Sequence, residues 1–290
     1  MRILLTNDDG IRAPGIVAMY NALTDTEDRF GGPILDHTPN AVSRSPRSVV
    51  LPIAPLTVQS ATSHGVTFHT PLMVKDEVIT DHMRGIAVDG RPADCVKLAI
   101  ANLWPDRFGA GDRPELLISG MNAGANCGIN VIYSGTVAAA IEGAFLGVPS
   151  IAVSMTLGKG TPRFDVGAAW ARKAIDQLLR AGPLLPHECV SINIPVIEDP
   201  SLTPDSPPPP MRVCPMNIHG LVDKYERRTS PNGSVYYWAA GYGLDFHTTD
   251  RGSDVEHLLA GHITVTPLRY DLTRHETLAA WTGGSVREPR

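Results

Sequence analysis

Met1 to Gly15, MRILLTNDDGIRAPG, is the stretch whose reading decides the fold. Ile3, Leu4 and Leu5 form a short apolar run, as expected of a strand buried on both faces of a parallel sheet. The run stops at Thr6-Asn7-Asp8-Asp9-Gly10, and Pro14 opens a segment whose apolar residues, Ile16, Val17, Met19, Tyr20 and Leu23, read as a helix. Strand, acidic turn and helix place two adjacent carboxylates just past the carboxyl end of a strand, where open α/β sheets bind ligands. Two anions so close repel unless a cation lies beside them. A hard, oxygen-ligated divalent ion is one reading of Asp8 and Asp9. A simple turn is the other, since Asn, Asp and Gly favour turns in any case.

Working outward, the chain continues as alternating strand and helix patterns. Pro33-Ile34-Leu35 reads as a weak second strand leading into a loop, Ala41 to Ser48, dense in hydroxyls and carrying Arg44 and Arg47. Residues 49 to 90 hold short β-like pieces broken by turn residues, which predicts a small antiparallel excursion from the main sheet. A helix is expected from Pro92. Glu115-Leu116-Leu117-Ile118 reads as a buried strand entering Ser119 to Gly128, ten residues with three glycines, two asparagines and a serine. Such a loop lets backbone N–H groups turn toward one point and form an anion-binding nest. Ser134 or Thr136 then caps a helix beginning near Val137, whose first N–H groups are available to a phosphate. Further strands at 149–154 and 189–194 flank an amphipathic helix over 164–181. The predicted fold is α/β, a Rossmann-like, doubly wound, mostly parallel sheet, with residues 1–195 as the catalytic core.

Residues 196–290 change character, passing through a proline-rich loop at 207–210 to Asn232-Gly233, a hairpin turn flanked by Tyr225 and by Tyr236-Tyr237-Trp238. An exposed aromatic hairpin needs a partner surface, most simply another subunit. Asp245, His247, Asp250, Arg251, Asp254 and His257 either supply an acid to the site or form an ordinary loop. A last core strand follows at 262–268 before the tail.

Composition narrows the function classes. With 43% hydrophobic and 19% charged residues in 290, the chain is expected to be globular and soluble. Its net charge of −5, with no Lys/Arg run, argues against a nucleic-acid polymer as partner, though not against a nucleotide. No signal peptide or membrane-length apolar stretch is visible. Four scattered cysteines fit free thiols in a cytoplasmic protein better than a disulfide or zinc site.

Parallel topology gathers the strand ends at one edge. The expected metal set is Asp8, Asp9, Ser43 from the loop after the second strand, and Asn122. All four are oxygen donors, which suits Mg²⁺ or Mn²⁺, with Ca²⁺ an alternative, and not zinc. A phosphate on the glycine-rich loop and on Ser134, Gly135 and Thr136 would share that ion, with water attacking in line and Asp8 or Asp9 as its base or orienting group.

TNDDG at Thr6 to Gly10, PADCVKLA at Pro92 to Ala99, SGMNAGAN at Ser119 to Asn126, YSGTVAAAIEG at Tyr133 to Gly143, SINIP at Ser191 to Pro195, YYW at Tyr236 to Trp238 and ITVTPL at Ile263 to Leu268 appear in order along nearly the whole chain, with the Ser-rich loop at 43–48 among them. In these motifs the chain resembles the SurE-type 5′-nucleotidases. The resemblance implies a metal-dependent phosphatase acting on nucleoside 5′-monophosphates and often 3′-monophosphates, with metal ligands at Asp8, Asp9, Ser43 and Asn122. It implies phosphate contacts around Asn126 and Ser134 to Thr136; Asn7, Gly120 and Arg47 complete the substrate-side candidates. It also implies a homodimer or homotetramer built through the carboxy-terminal extension. Arg47 and Asn130 depart from the family's usual residues. The rival readings are a catalytically silent nucleotide-binding protein and a receiver-like Mg²⁺-binding signalling module. The latter needs an acceptor Asp at its middle strand end, where this chain has Ser119-Gly120.

Overall fold

The computed structural model describes residues 1–34, 49–222, 224–240 and 244–282. Its strands are β1 (Arg2–Thr6), β2 (Val49–Pro55), β3 (Val74–Val78), β4 (Arg84–Val88), β5 (Leu116–Ala123), β6 (Ser150–Met155), β7 (Cys189–Ile194), β8 (Met211–Val213), β9 (Tyr225–Thr229), β10 (Val235–Ala239) and β11 (Ile263–Leu268). The helices are α1 (Pro14–Thr24), α2 (Pro92–Leu98), α3 (Trp104–Phe108), α4 (Gly135–Phe145), α5 (Phe164–Ala181), α6 (Asp254–Leu259) and α7 (His275–Thr282).

Ile3, Leu4 and Leu5 are fully buried because β1 lies at the centre of the sheet and is covered on both faces. The pleat sends Ile3 and Leu5 into one core with residues of α1 and α5, and Leu4 into the other with residues of α2 and α4. The strand order is β3-β4-β2-β1-β5-β6-β7-β11-β8. From β4 through β7 all neighbours run parallel, while β3 and β11 join antiparallel to β4 and β7. The chain builds outward from β1 to one side through β2 and β4, then returns to build the other side from β5. The order therefore reverses between β1 and β5, and the crevice at their carboxyl ends is the switch point.

Two expectations are corrected here. Pro33 and Ile34 do not form a strand. Ile34 is buried, its N–H bonding Leu23 O, after α1 has ended at Thr24 and the chain has turned back through Gly31-Gly32. The second strand is instead Val49–Pro55, in register with β1 from Arg2↔Val49 to Leu5↔Pro52. Nor is 49–90 an excursion: β2 and β4 belong to the main sheet, and β3 is its antiparallel edge. Pro52 and Pro55 read as breakers because each withdraws a ladder donor. That loss, about 1 kcal/mol per hydrogen bond, is smaller than the gain from burying Val50, Leu51 and Ile53, about 1.5–3 kcal/mol per side chain.

Beyond residue 195 the chain returns to the sheet through β8 and β11, and β9 and β10 form a separate hairpin whose ten strand residues are all exposed. The four cysteines are free and buried. No helix among the described residues is long and apolar enough to cross a membrane.

Arg172 of α5, only 2% exposed, ties the two helices of one face together. Its guanidinium donates to Ala22 O and Leu23 O at the end of α1, to Gly32 O and to Asp176. Arg172→Ala removes the guanidinium from Ala22 O and Gly32 O and leaves the Asp176 charge without its ion-pair partner. The expected cost is about 3 kcal/mol in unfolding free energy, measured by urea titration; a loss under about 1 kcal/mol contradicts this role.

Candidate metal and phosphate site

The turn after β1 is closed by Asn7, whose side-chain amide donates to Gly10 O at 2.9 Å, while Gly10 takes a φ of 98° that favours glycine. Asp8 is 4% exposed. Its Oδ1 accepts from the Thr136 hydroxyl at 2.5 Å, and its backbone carbonyl accepts from Gln59 N at 2.7 Å. Asp9 Oδ2 accepts from Ala123 N at 2.9 Å, so the second carboxylate rests on the end of β5 beside Asn122. Asn122 donates its amide to Gly124 O at 2.7 Å, and among the described residues its side-chain oxygen accepts no hydrogen bond. The chain thus brings Asp8, Asp9 and Asn122 to the β1/β5 switch point.

Thr136 and Gly135 both lie against Asp8. Ser134 caps α4 by accepting from Val137 N at 3.1 Å, and Thr136, fully buried, spends its hydroxyl on Asp8. A Cβ on Gly135 would lie 2.9 Å from Asp8 Cβ, so the close approach of the helix start to the carboxylate requires glycine. The partial positive charge at the amino end of α4 therefore acts first on Asp8. Gly120 meets a similar demand: with φ 139°, a Cβ there would lie 2.2 Å from Val153 O. The Gly120–Met121 peptide is cis.

Asn126 is held from the sheet. Its N–H donates to Asn193 Oδ1 and its carbonyl accepts from Asn193 Nδ2, both at 2.8 Å, while its own Nδ2 donates to Ser154 Oγ at 2.8 Å. Asn193 and Ser154 had no assigned role in the sequence reading, although Asn193 lies within SINIP. Gln59 was missed because Val49–Pro55 was not placed beside β1: a strand there delivers the residues after it, Gln59 among them, to the carboxyl edge. Ser43 and Arg47 lie outside the described residues. Of the polar run 245–257, Asp254 bonds the backbone of Gly128 and Asn217 rather than entering the acidic pair.

Burial pushes the Asp8 carboxyl up to about 6; the Thr136 hydroxyl draws it back and the Asp9 charge pushes it further up. Thr6 Oγ1, Asn7 Oδ1 and Ser119 Oγ are buried at the same strand ends without a protein partner. Several oxygen atoms and a carboxylate that resists ionising are thus gathered at one strand edge, donors of the kind a hard cation takes. Among the described residues no three His, Cys, Asp or Glu side chains come together as a metal cage.

An acidic pair at the switch point of a doubly wound sheet, flanked by an amide-rich loop and a glycine-led helix start, marks a Rossmann-like protein built to hold a cation beside an anionic ligand. The family model described as survival protein SurE matches residues 3–217. The chain is 39% identical to the 5′-nucleotidase SurE of Heliobacterium modesticaldum over 98% of this chain and 93% of that protein. It is 37% identical to the 5′-nucleotidase SurE of Rhodopirellula baltica, over 99% of this chain and 100% of the relative. The crystal structure of the SurE protein from Aquifex aeolicus superposes with a TM-score of 0.72 at 29% identity, covering 97% of this chain and 98% of that one. The chain belongs to the SurE family.

The raised Asp8 pKa has a stability consequence. A folded value near 6 against the ordinary 3.8 favours the protonated form, a contribution complete below pH 3.8 and lost as pH rises through 6. The shift corresponds to about 3 kcal/mol. In chelator-treated protein, Asp8→Asn is therefore expected to raise stability near neutral pH by about 1–3 kcal/mol and to flatten its pH dependence over that window. Equal denaturant midpoints for the two proteins near neutral pH would contradict this account.

Proposed function

We infer that this protein is a 5′-nucleotidase, a phosphomonoesterase that hydrolyses nucleoside 5′-monophosphates to nucleoside and phosphate. The observation that carries the reading is the meeting of Asp8, Asp9 and Asn122 at one strand edge beside the glycine-rich loop. Asp8, Asp9 and the Asn122 side-chain oxygen would hold a divalent cation, which when bound supplies neutralisation of phosphate oxygens and a water of lowered pKa. Mg²⁺ and Mn²⁺ suit this donor set best.

The protein's own part is positioning. Thr136 and the start of α4 fix one oxygen of Asp8, leaving the other for the site. Ala123 N–H orients Asp9, which is less buried and faces the opening, and this favours Asp9 as the group that orients or deprotonates the attacking water. Asn126, clamped by Asn193 and Ser154, presents its free side-chain oxygen and the loop backbone toward the phosphate side, with Asn7 and Gly120 lining the strand ends. For the hydroxyl donor Ser43 is proposed, and the exposed Ser60, next to Gln59 whose N–H reaches Asp8 O, is a second candidate. Nucleoside 3′-monophosphates are included in the proposed substrate range, and a cytoplasmic location agrees with the free thiols.

Phosphate release from AMP or GMP with Mg²⁺ or Mn²⁺, abolished by EDTA, is the expected result. Asp8→Asn and Asp9→Asn should each lower kcat/KM by about a hundredfold or more with the fold retained by circular dichroism. Ser43→Ala should weaken metal activation, and Ser60→Ala, read in the same assay, shows whether the second hydroxyl takes part. Full turnover in both aspartate variants, or metal activation unchanged in both serine variants, refutes these roles.

The exposed Tyr225, Tyr236, Tyr237 and Trp238 side chains of the hairpin are proposed to join copies of the chain as a homodimer or homotetramer. Sedimentation should show a multiple of the 31.1 kDa chain mass that falls on deletion of the hairpin; a monomer at micromolar concentration rules this out.

A further inference from the structure

The far end of the glycine-rich loop is gripped by Asn217, the last of the family-matched residues 3–217, and by residues beyond it. Asp254, at the start of α6 and only 2% exposed, accepts from Gly128 N through Oδ2 and from Asn217 N and Val255 N through Oδ1, each at 2.8 Å. Asn217, fully buried, accepts from Ile129 N at 2.8 Å through its carbonyl and from Asp250 N at 2.8 Å through Oδ1. Asn130 Oδ1 accepts from Leu221 N at 2.9 Å. The Phe246 ring covers Gly128 so closely that a Cβ there would meet it at 2.7 Å. Cys127, between these contacts, is buried with Val255 and Leu258. Asn126 is thus pinned from the sheet by Asn193, and two residues on Gly128 is pinned from the carboxy-terminal segment by Asp254.

We propose that Asp254 is a positioning residue for phosphate binding: its buried carboxylate, bridging Gly128 and Asn217, sets the backbone of the Asn126–Gly128 loop that receives the anion. The proposal rests on the phosphatase reading of the same loop. A carboxylate is suited to this place because it is acceptor-only, and three N–H groups point at it. An amide in its stead turns an NH₂ toward one of those donors, so an isosteric change of one atom is enough to displace the loop. Because Asp254 touches neither Asp8 nor Asp9 in the structure, the cation and the phosphate are expected to respond differently to its loss.

Asp254→Asn decides the matter when inorganic phosphate binding is measured directly by calorimetry in Mn²⁺, alongside AMP kinetics. Phosphate dissociation constant and KM are expected to rise together by about tenfold, with kcat and the Mn²⁺ activation constant changed less than about threefold. Asn130→Ala, which loosens the same bracket at one hydrogen bond, should move the same two constants by about threefold, and it decides alone if Asp254→Asn does not fold. Unchanged phosphate binding in a folded Asp254→Asn, or in Asn130→Ala where that variant alone folds, overturns the proposal, as does a fall in kcat and Mn²⁺ response with phosphate binding intact. Wild-type protein that binds phosphate but releases none from any nucleotide would sink the phosphatase reading while leaving this bracket to be judged by the calorimetry.

Discussion

The contact between the Thr136 hydroxyl and Asp8 Oδ1, at 2.5 Å, is the interaction around which the rest is arranged. It joins the end of the central strand to the start of α4, and so locks the distance between the two halves of the doubly wound sheet. It also holds a carboxylate, almost fully buried and beside a second carboxylate, in one orientation. Isolated charge burial is expensive, and here it is tolerated because a hydroxyl and a helix amino terminus face it. The arrangement is still one that favours a proton or a cation at Asp8, and such stored unfavourable energy is characteristic of functional sites.

Close backbone approach is the second constraint. Gly135 against Asp8 and Gly120 against the Val153 carbonyl leave no room for a side chain. These glycines bring helix start and strand ends within hydrogen-bond reach of the acidic turn. The asparagine ladder, Asn126 with Asn193 and Ser154, then fixes the sheet side of the loop that leaves β5 by hydrogen bonds. Polar clamps of this kind give direction as well as attachment, which packing alone does not.

The carboxy-terminal third contributes to the same edge from outside the Rossmann-like half. β11 extends the sheet, and the segment around Asn217, Phe246 and Asp254 closes over the loop. The hairpin grows from the same segment, its stem marked by the Leu221↔Phe246 bridge. Loop, arm and hairpin are therefore mechanically continuous.

What the amino-acid sequence determined by itself is the class of the sheet and the chemistry at its edge. An apolar triplet running into Asn-Asp-Asp-Gly, a glycine- and asparagine-rich loop after a buried run, and Ser134 before an alanine-rich helix each carry a local signal, because hydrophobic periodicity, turn propensity and capping act over a few residues. Asp8, Asp9 and Asn122 lie at the ends of the adjacent strands β1 and β5. The β-like start of β2 was legible, but Pro52 and Pro55 cut it short in a propensity reading. Only burial on both faces of the central sheet made Val49–Pro55 a strand of it, which brings Gln59 to Asp8. The partners of Asn126, Gly128 and Asp8 are likewise separated from them by 67, 126 and 128 residues. Such pairings are set by how strands stack and which ends coincide, a property of the closed sheet that no short stretch of chain contains.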